Sequence, residues 1–323
     1  MTPLRPSTVD ALAAAGLDPE LVADLVARAL AEDLAGGVDV TSAATIPADR
    51  VDTGDLVSRM DGVVAGLPVV AAVFDHAGLG LLGTSTGDSP VTTEIQVPDG
   101  AMVRAGEVLA TVRGRTRALL TAERTALNLL GHLSGVATLT RRWVDAVAGT
   151  GAAIRDTRKT TPGLRALEKY AVRCGGGLSY RMSLSDAGLV KDNHVLAAGG
   201  VAAAFAAFRR EFPGLPVEVE CDTLADVEAA LTAGADLLLL DNMSTVDIAA
   251  AVRLAAGGEV RLEASGGLSL ARAREVAGTG VHFLAVGALT HSAPVLDVGL
   301  DLRPADPAAA DPPAAGRPPI LED

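Results

Sequence analysis

The sequence predicts an α/β protein in which a parallel α/β barrel is preceded by a smaller α+β sandwich domain. Three observations carry that reading. Beyond Gly151 six apolar runs recur (AAIRDT, GLVKDN, VEVEC, DLLLLDN, VRLEASGG and FLAVGAL), with amphipathic helical segments between the later ones. Val217, Leu237, Val260 and Phe283 begin runs spaced by 20, 23 and 23 residues, the length of a βα unit in a parallel barrel. Each run also ends in a group able to bind something: Arg158 and Lys159, Lys191, Glu220, Asp241 and Asn242, Ser265 with Gly266 and Gly267, and Gly287. In a parallel barrel the strand ends converge on one mouth. An open doubly wound sheet is the competing architecture, but its single line of strand ends would not gather all six groups.

The elements follow in order. Residues 8–34 read as two short helices, the second with Leu21, Val22, Leu25, Val26 and Leu30 at helical spacing after the Asp18-Pro19 start signal. From Asp52 to Gly114 short β segments alternate with Gly, Pro and Asp turns, interrupted by an apolar helix over 67–76; Val97-Pro98-Asp99-Gly100 is a strong turn signal. His76 has no partner in sequence and is assigned a structural role. Residues 116–148 are helical, and Gly131 and Gly135 are expected to break the stretch into two helices. After the barrel, THSAPVLDVGLDLRP resumes a β pattern and is expected to return to the first domain. The organisation is thus an N-terminal domain over 1–115 completed by 290–303, a barrel over 116–289, and a Pro- and Ala-rich tail over 304–323 that should be disordered.

Composition narrows the function classes. A formal charge of −13 and only 2% aromatic residues argue against nucleic-acid binding, which favours basic surfaces and stacking platforms. The N-terminus has no apolar run behind positive charges, and no run of membrane-spanning length lacks a polar break, so the protein is expected in the cytoplasm, without a membrane partner. Cys174 and Cys221 form neither a metal spacing nor a disulfide framework and read as small core residues.

Against this acidic background, residues 155–191 hold eight basic side chains (Arg155, Arg158, Lys159, Arg165, Lys169, Arg173, Arg181, Lys191) and three acidic ones (Asp156, Glu168, Asp186). All lysines of the chain fall in this window. The simplest reading is a pocket for an anionic substrate. For Arg165, Glu168, Lys169 and Arg173 a solvated helix face explains the pattern equally well, because Pro162 suits a first helical turn and i,i+4 spacing follows. Arg158, Lys159 and Lys191 fit that alternative poorly, since each closes an apolar run, where a charge needs a partner or ligand. Opposite these cations stand Glu220 and Asp241 on neighbouring strands, and the Gly turns that let backbone N–H groups approach a phosphate. Two such carboxylates could act as general acid and base or hold Mg²⁺; Mg²⁺ fits better, because it takes one or two protein carboxylates and leaves its other positions to water and substrate phosphates. Residue types alone therefore point to a phosphorylated, multiply anionic substrate with Mg²⁺.

Taken together, DTRKTTPGLRALEKYAV, GGG, LVKDNHV, VEVEC, LLLDN, EASGG and AVGALTHS resemble the carboxylating nicotinate-nucleotide pyrophosphorylases, the quinolinate phosphoribosyltransferases, in order from about Leu120 to Leu302. The resemblance implies an α/β barrel behind a sandwich domain, a homodimer or higher even oligomer, and the reaction of quinolinate with phosphoribosyl pyrophosphate to nicotinate mononucleotide, pyrophosphate and CO₂. Substrate-binding positions carried over by the motifs are Arg124, Thr157, Arg158, Lys159, Arg181, Lys191, Glu220, Asp241, Ser265, Gly266 and Gly287, with Arg124 reaching into the partner subunit's site. Lys159, Glu220 and Asp241 take the catalytic roles, and Glu220 and Asp241 the metal, directly or through water and substrate. One position departs: the family has Asn-His-Arg where this chain has Ser179-Tyr180-Arg181, so Tyr180 takes the place of a histidine expected to help bind a quinolinate carboxylate. A related enzyme with another acceptor, or a silent barrel that only binds phosphorylated ligands, are the alternative readings.

Overall fold

The structure, a computed structural model, describes residues 4–81 and 91–303. The expected disordered tail over 304–323 lies outside the described residues.

Two helices open the chain, α1 (Pro6–Ala14) and α2 (Pro19–Leu34), each with proline in its first turn, where the missing N–H costs nothing. Asp18 caps α2 by accepting the Glu20 N–H at 2.9 Å. The predicted apolar stripe of α2 is buried at Val22, Leu25, Val26 and Leu30, whereas Leu21 is 40% exposed, at the edge of the stripe. A short α3 (Val40–Thr45), capped by Asp39, was not anticipated. There follow β1 (Val51–Ser58), β2 (Gly62–Val63), α4 (Leu67–His76), β3 (Thr92–Ile95), β4 (Met102–Val103) and β5 (Val108–Arg115). Helix α4 is buried on every face. Its Asp75 is paired with Arg5 at 2.6 Å, and burial pushes the His76 imidazole below its usual pKa, as befits a packed side chain.

Helix α5 (Thr116–Ala146) runs unbroken for 31 residues, which corrects the expected break. Its glycines serve close approach instead: a Cβ on Gly135 would lie 2.1 Å from the Pro294 carbonyl oxygen and one on Gly131 2.8 Å from that of Leu296. The segment packed there leads into β12 (Val298–Arg303), which pairs antiparallel with β1 and completes a four-stranded sheet of order β12-β1-β5-β3.

The remaining elements are β6 (Ala153–Arg155), α6 (Arg165–Cys174), β7 (Gly188–Val190), α7 (Asp192–Ala198), α8 (Val201–Glu211), β8 (Val217–Cys221), α9 (Leu224–Thr232), β9 (Leu237–Asp241), α10 (Thr245–Leu254), β10 (Arg261–Ser265), α11 (Ala273–Ala277), β11 (Phe283–Ala285) and α12 (Ala288–His291). All six predicted runs contain strands; of the four expected starts, Val217, Leu237 and Phe283 hold, and the strand expected from Val260 begins a residue later, at Arg261. They form one parallel sheet of order β6-β11-β10-β9-β8-β7. Edge strand β6 is extended by a parallel bridge between Arg155 and Leu178. Residues following both edge strands, Asp156 and Lys191, line the same cavity as those of the central strands, so the sheet curls into a barrel. The two parts are pinned by Asp99, in the predicted turn: its carboxylate accepts the Gly66 and Leu67 N–H groups at the start of α4 and, at 2.6 Å, the Tyr170 hydroxyl of α6. Cys221 is buried in β8 and Cys174 half-buried at the end of α6.

Candidate active site

A cavity of about 530 Å³ opens at the C-terminal ends of the barrel strands. Eleven of the twelve assigned site residues line it, namely Thr157, Arg158, Lys159, Tyr180, Arg181, Lys191, Glu220, Asp241, Ser265, Gly266 and Gly287; of the other run-end groups Gly267 lines it and Asn242 does not. Arg124 does not; it is exposed on α5.

Thr157, Arg158 and Lys159 follow β6 after Asp156. The Lys159 N–H donates to Thr157 Oγ1 at 3.0 Å and its carbonyl accepts from Thr290 Oγ1 at 2.8 Å, so the backbone is held at both ends. Arg158 feels burial and the nearby cations Arg181 and Arg165, which together push its guanidinium below the usual pKa, and its Nε is buried without a protein partner among the described residues. A carboxylate or phosphate entering here would relieve both. Tyr180 and Arg181 lie between α6 and β7. Arg181 is held at φ +27°, a region side-chain-bearing residues avoid, by its own Nε–H donating to the Ser183 carbonyl at 3.1 Å and by Asp186, which accepts the N–H groups of Met182 and Ser183.

Across the mouth, Lys191 after β7 pairs with Glu220 at the end of β8, 3.4 Å away. Burial pushes the Glu220 carboxyl up, Lys191 opposes it, and Asp241 and Asp222 push it further. Oxygens of Glu220, Asp222 and Asp241 lie within 4.8 Å of one another, a hard-oxygen set suited to a divalent cation. Asp222 was missed in the sequence, although it continues the alternation of Glu218 and Glu220. The loops after β9 and β10 interlock. Asn242 sits at φ +54° with its Nδ2 donating to Asp241 at 2.7 Å, and a Cβ on Gly266 (φ +85°) would meet Asn242 Oδ1 at 2.3 Å.

The floor of the cavity was also missed. Glu218 and Glu263, both buried, point inward two residues before Glu220 and Ser265; the i,i+2 spacing within VEVEC and LEASGG is the signal that identifies them. Arg155 donates to Glu263 at 2.7 Å and lies 4.7 Å above the Tyr180 ring. Burial and Glu263 push the Glu218 carboxyl up to about 8, and burial with the Glu218 charge pushes the Tyr180 phenol up to about 12. The Tyr180 hydroxyl is buried without a partner among the described residues. His291, at the end of α12, also lines the cavity, although nothing in the AVGALTHS motif sets it apart.

The family models for the quinolinate phosphoribosyl transferase C-terminal and N-terminal domains match residues 136–301 and 39–134. The chain belongs to the quinolinate phosphoribosyl transferase family. Among curated relatives, the nicotinate-nucleotide pyrophosphorylase (carboxylating) of Mycobacterium leprae is 51% identical over 281 residues, 86% of this chain and 96% of that one. The probable nicotinate-nucleotide pyrophosphorylase (carboxylating) of Bacillus subtilis is 38% identical over 84% of this chain and 90% of the relative. A solved nicotinate-nucleotide pyrophosphorylase from Francisella tularensis superposes with a TM-score of 0.81 at 36% identity, covering 88% of this chain and 96% of its own. Family membership accounts for the order of barrel and sandwich domain and for the convergence of the quoted motifs on one mouth. Among the described residues no helix is long and apolar enough to cross a membrane.

Proposed function

We propose that this protein transfers the phosphoribosyl group of phosphoribosyl pyrophosphate to quinolinate and decarboxylates the product, giving nicotinate mononucleotide, pyrophosphate and CO₂ in NAD biosynthesis. The observation that carries this reading is the cavity itself, where Arg158, Lys159 and Arg181 meet a carboxylate set, Glu220 and Asp241, with Gly-containing loops between. Quinolinate brings two carboxylates and the donor brings a phosphate and a pyrophosphate, so both can be held in contact only by several cations. Arg158 and Arg181 bind the acceptor's carboxylates. As the anomeric C–O bond breaks and the ring nitrogen approaches, Glu220 and Asp241 stabilise positive charge on the sugar, and Lys159 stabilises negative charge on the departing pyrophosphate. The electron pair left by CO₂ is stabilised by the pyridinium nitrogen, so this step asks little of the protein. Glu220 and Asp241, with Asp222 beside them, would hold Mg²⁺ directly or through water, and the ion would supply further neutralisation of the pyrophosphate oxygens. We place the protein in the cytoplasm.

Incubation with phosphoribosyl pyrophosphate, Mg²⁺ and either quinolinate or nicotinate is expected to show Mg²⁺-dependent nicotinate mononucleotide and CO₂ from quinolinate and little turnover of nicotinate. Leaving a buried guanidinium unpaired in the nicotinate complex costs about 1–3 kcal/mol or more. Equal rates on the two acids would overturn the assignment.

The same reading includes a homodimer in which Arg124 completes the partner's site; its exposure on α5, outside the cavity of its own chain, supports this. Mixing Arg124→Ala with Lys159→Ala protein should restore activity, because one site in each heterodimer then carries neither lesion. No recovery despite demonstrated subunit exchange would remove the trans role.

Tyr180→His is expected to lower KM for quinolinate several-fold and leave that for phosphoribosyl pyrophosphate nearly unchanged. A neutral phenol offers a bond of about 0.5–1.5 kcal/mol, whereas a charge-assisted one offers about 1.5–3 kcal/mol. Unchanged quinolinate kinetics would show that the phenol only packs under Arg155.

A further inference from the structure

Two neighbouring residues of α6, Glu168 and Lys169, are each 0% exposed, although the sequence allows them on a solvated helix face. Neither lines the cavity, yet each bonds to one of the segments that carry its cations. One Glu168 oxygen accepts the Thr161 N–H at 3.0 Å, two residues beyond Lys159, while the other meets His132 Nε2 at 2.8 Å, which anchors the carboxylate to α5. The Lys169 amine donates to the Asp156 carboxylate and, at 2.8 Å, to the Tyr180 carbonyl. Asp156 in turn accepts the Ser179 hydroxyl at 2.6 Å and the Tyr180 N–H at 3.3 Å, so the residue pair before Arg181 is gripped from both sides. One turn earlier, Arg165 spans the two segments directly, donating to Thr160 Oγ1 at 3.0 Å and to the Met182 carbonyl at 3.1 Å.

We propose that Glu168 and Lys169 are positioning residues that set the two cation-bearing segments against each other: Glu168 holds Arg158–Lys159, and Lys169, through Asp156, holds Tyr180–Arg181. This rests on the reaction proposed above. A buried charged pair is no better for stability than a well-packed apolar pair, so stability alone does not call for these side chains. Their polarity matches what each segment presents: Thr161 offers a donor and receives a carboxylate, while Asp156 and Tyr180 offer acceptors and receive an ammonium. Arg181 needs such a hold, since its backbone sits in a region it would leave if released.

The two grips predict different kinetics from adjacent residues. Lys169→Met, which keeps the chain's length, should raise KM for quinolinate about tenfold or more and leave KM for phosphoribosyl pyrophosphate within about twofold, because the Tyr180–Arg181 segment loses the Lys169 bond at Tyr180 while the Arg158–Lys159 segment keeps the Glu168 bond at Thr161. Glu168→Met should raise both and lower kcat, because Lys159 moves with Arg158. A general loss of folding would instead lower the apparent kcat by the folded fraction and leave both KM values unchanged. Identical shifts in the two variants, or none in folded protein, overturn the proposal. If Lys169→Met does not fold, Ser179→Ala removes a single bond to Asp156 and should reproduce the quinolinate-only shift at about threefold; no shift overturns it equally. Should the wild type itself not turn over quinolinate, the proposed reaction fails instead. The grip is then read by calorimetric binding of benzene-1,2-dicarboxylate, which should weaken in Lys169→Met; unchanged binding counts against it.

Discussion

Lys159→Ala is expected to lower kcat by about 10²–10³, the loss seen when a preorganised group that meets developing negative charge is removed. The backbone of Lys159 is fixed by Thr157 and Thr290, and its side chain runs past Gly287 into the cavity, where a Cβ on that glycine would lie 3.0 Å from its Cδ. Among the described residues no carboxylate pairs with its amine, whereas Lys191 has Glu220 and Lys169 has Asp156. A cation held in place yet left without a protein counterion is matched to charge that arrives with the substrate and grows as the bond to pyrophosphate breaks. Steady-state kinetics with both substrates saturating would measure the loss. A kcat within tenfold of wild type would mean that the leaving group is served by other cations, and Lys191 would be the next to replace.

The second large effect concerns stability. Gly135→Ala should lower the thermal midpoint by on the order of 5–10 °C or prevent folding, because overpacking costs typically about 1–3 kcal/mol and more where nothing can yield. Here the obstacle is backbone: the added methyl would stand 2.1 Å from the Pro294 carbonyl oxygen and 3.0 Å from the Val295 Cα. Neither helix α5 nor the 293–297 segment can retreat easily, since the Leu296 N–H is bonded to the Gly131 carbonyl at 2.9 Å and the segment continues into β12. Gly258→Ala provides the control. That glycine is exposed, has no positive φ, and a Cβ there would meet nothing nearer than 3.6 Å, so its midpoint should stay within about 2 °C of wild type. Equal midpoints for the two variants would show that the helix and the return segment are free to separate.

Much of the barrel was legible in the chain because it is written in local signals. A buried parallel strand needs a short apolar run, its exit needs glycine or a polar residue, and the helix between needs a fixed length. The six runs therefore announce the sheet, and their last residues announce the mouth. Polarity at strand ends is also why Thr157, Arg158, Lys159, Lys191, Glu220, Asp241, Ser265, Gly266 and Gly287 share one cavity, whereas Tyr180 and Arg181 end no run and enter it from the segment after α6. What that reading missed has a common cause. Glu218 and Glu263 lie inside apolar runs, where a carboxylate looks like an interruption until the curl of the sheet turns it toward the same interior as Arg155. Gly131 and Gly135 look like breaks because helix propensity counts only the helix itself, and the pressure for a missing side chain comes from a segment some 160 residues away in sequence.

The sequence by itself determined the α/β class, the alternation of strands and helices, the family, and the excess of cations between Arg155 and Lys191, since all of these depend on residue type and spacing along the chain. Only the tertiary structure decided what those cations do. It separated Lys169, buried and bonded to Asp156, from Lys159, which lines the cavity with no carboxylate partner among the described residues; it moved Glu168 from a helix surface to a buried anchor, and it left Arg124 outside its own cavity. A charge has the same appearance in sequence whether it is solvated, paired or waiting for a ligand. The difference lies in which groups surround it, and these come from strands and helices that meet only when the sheet curls.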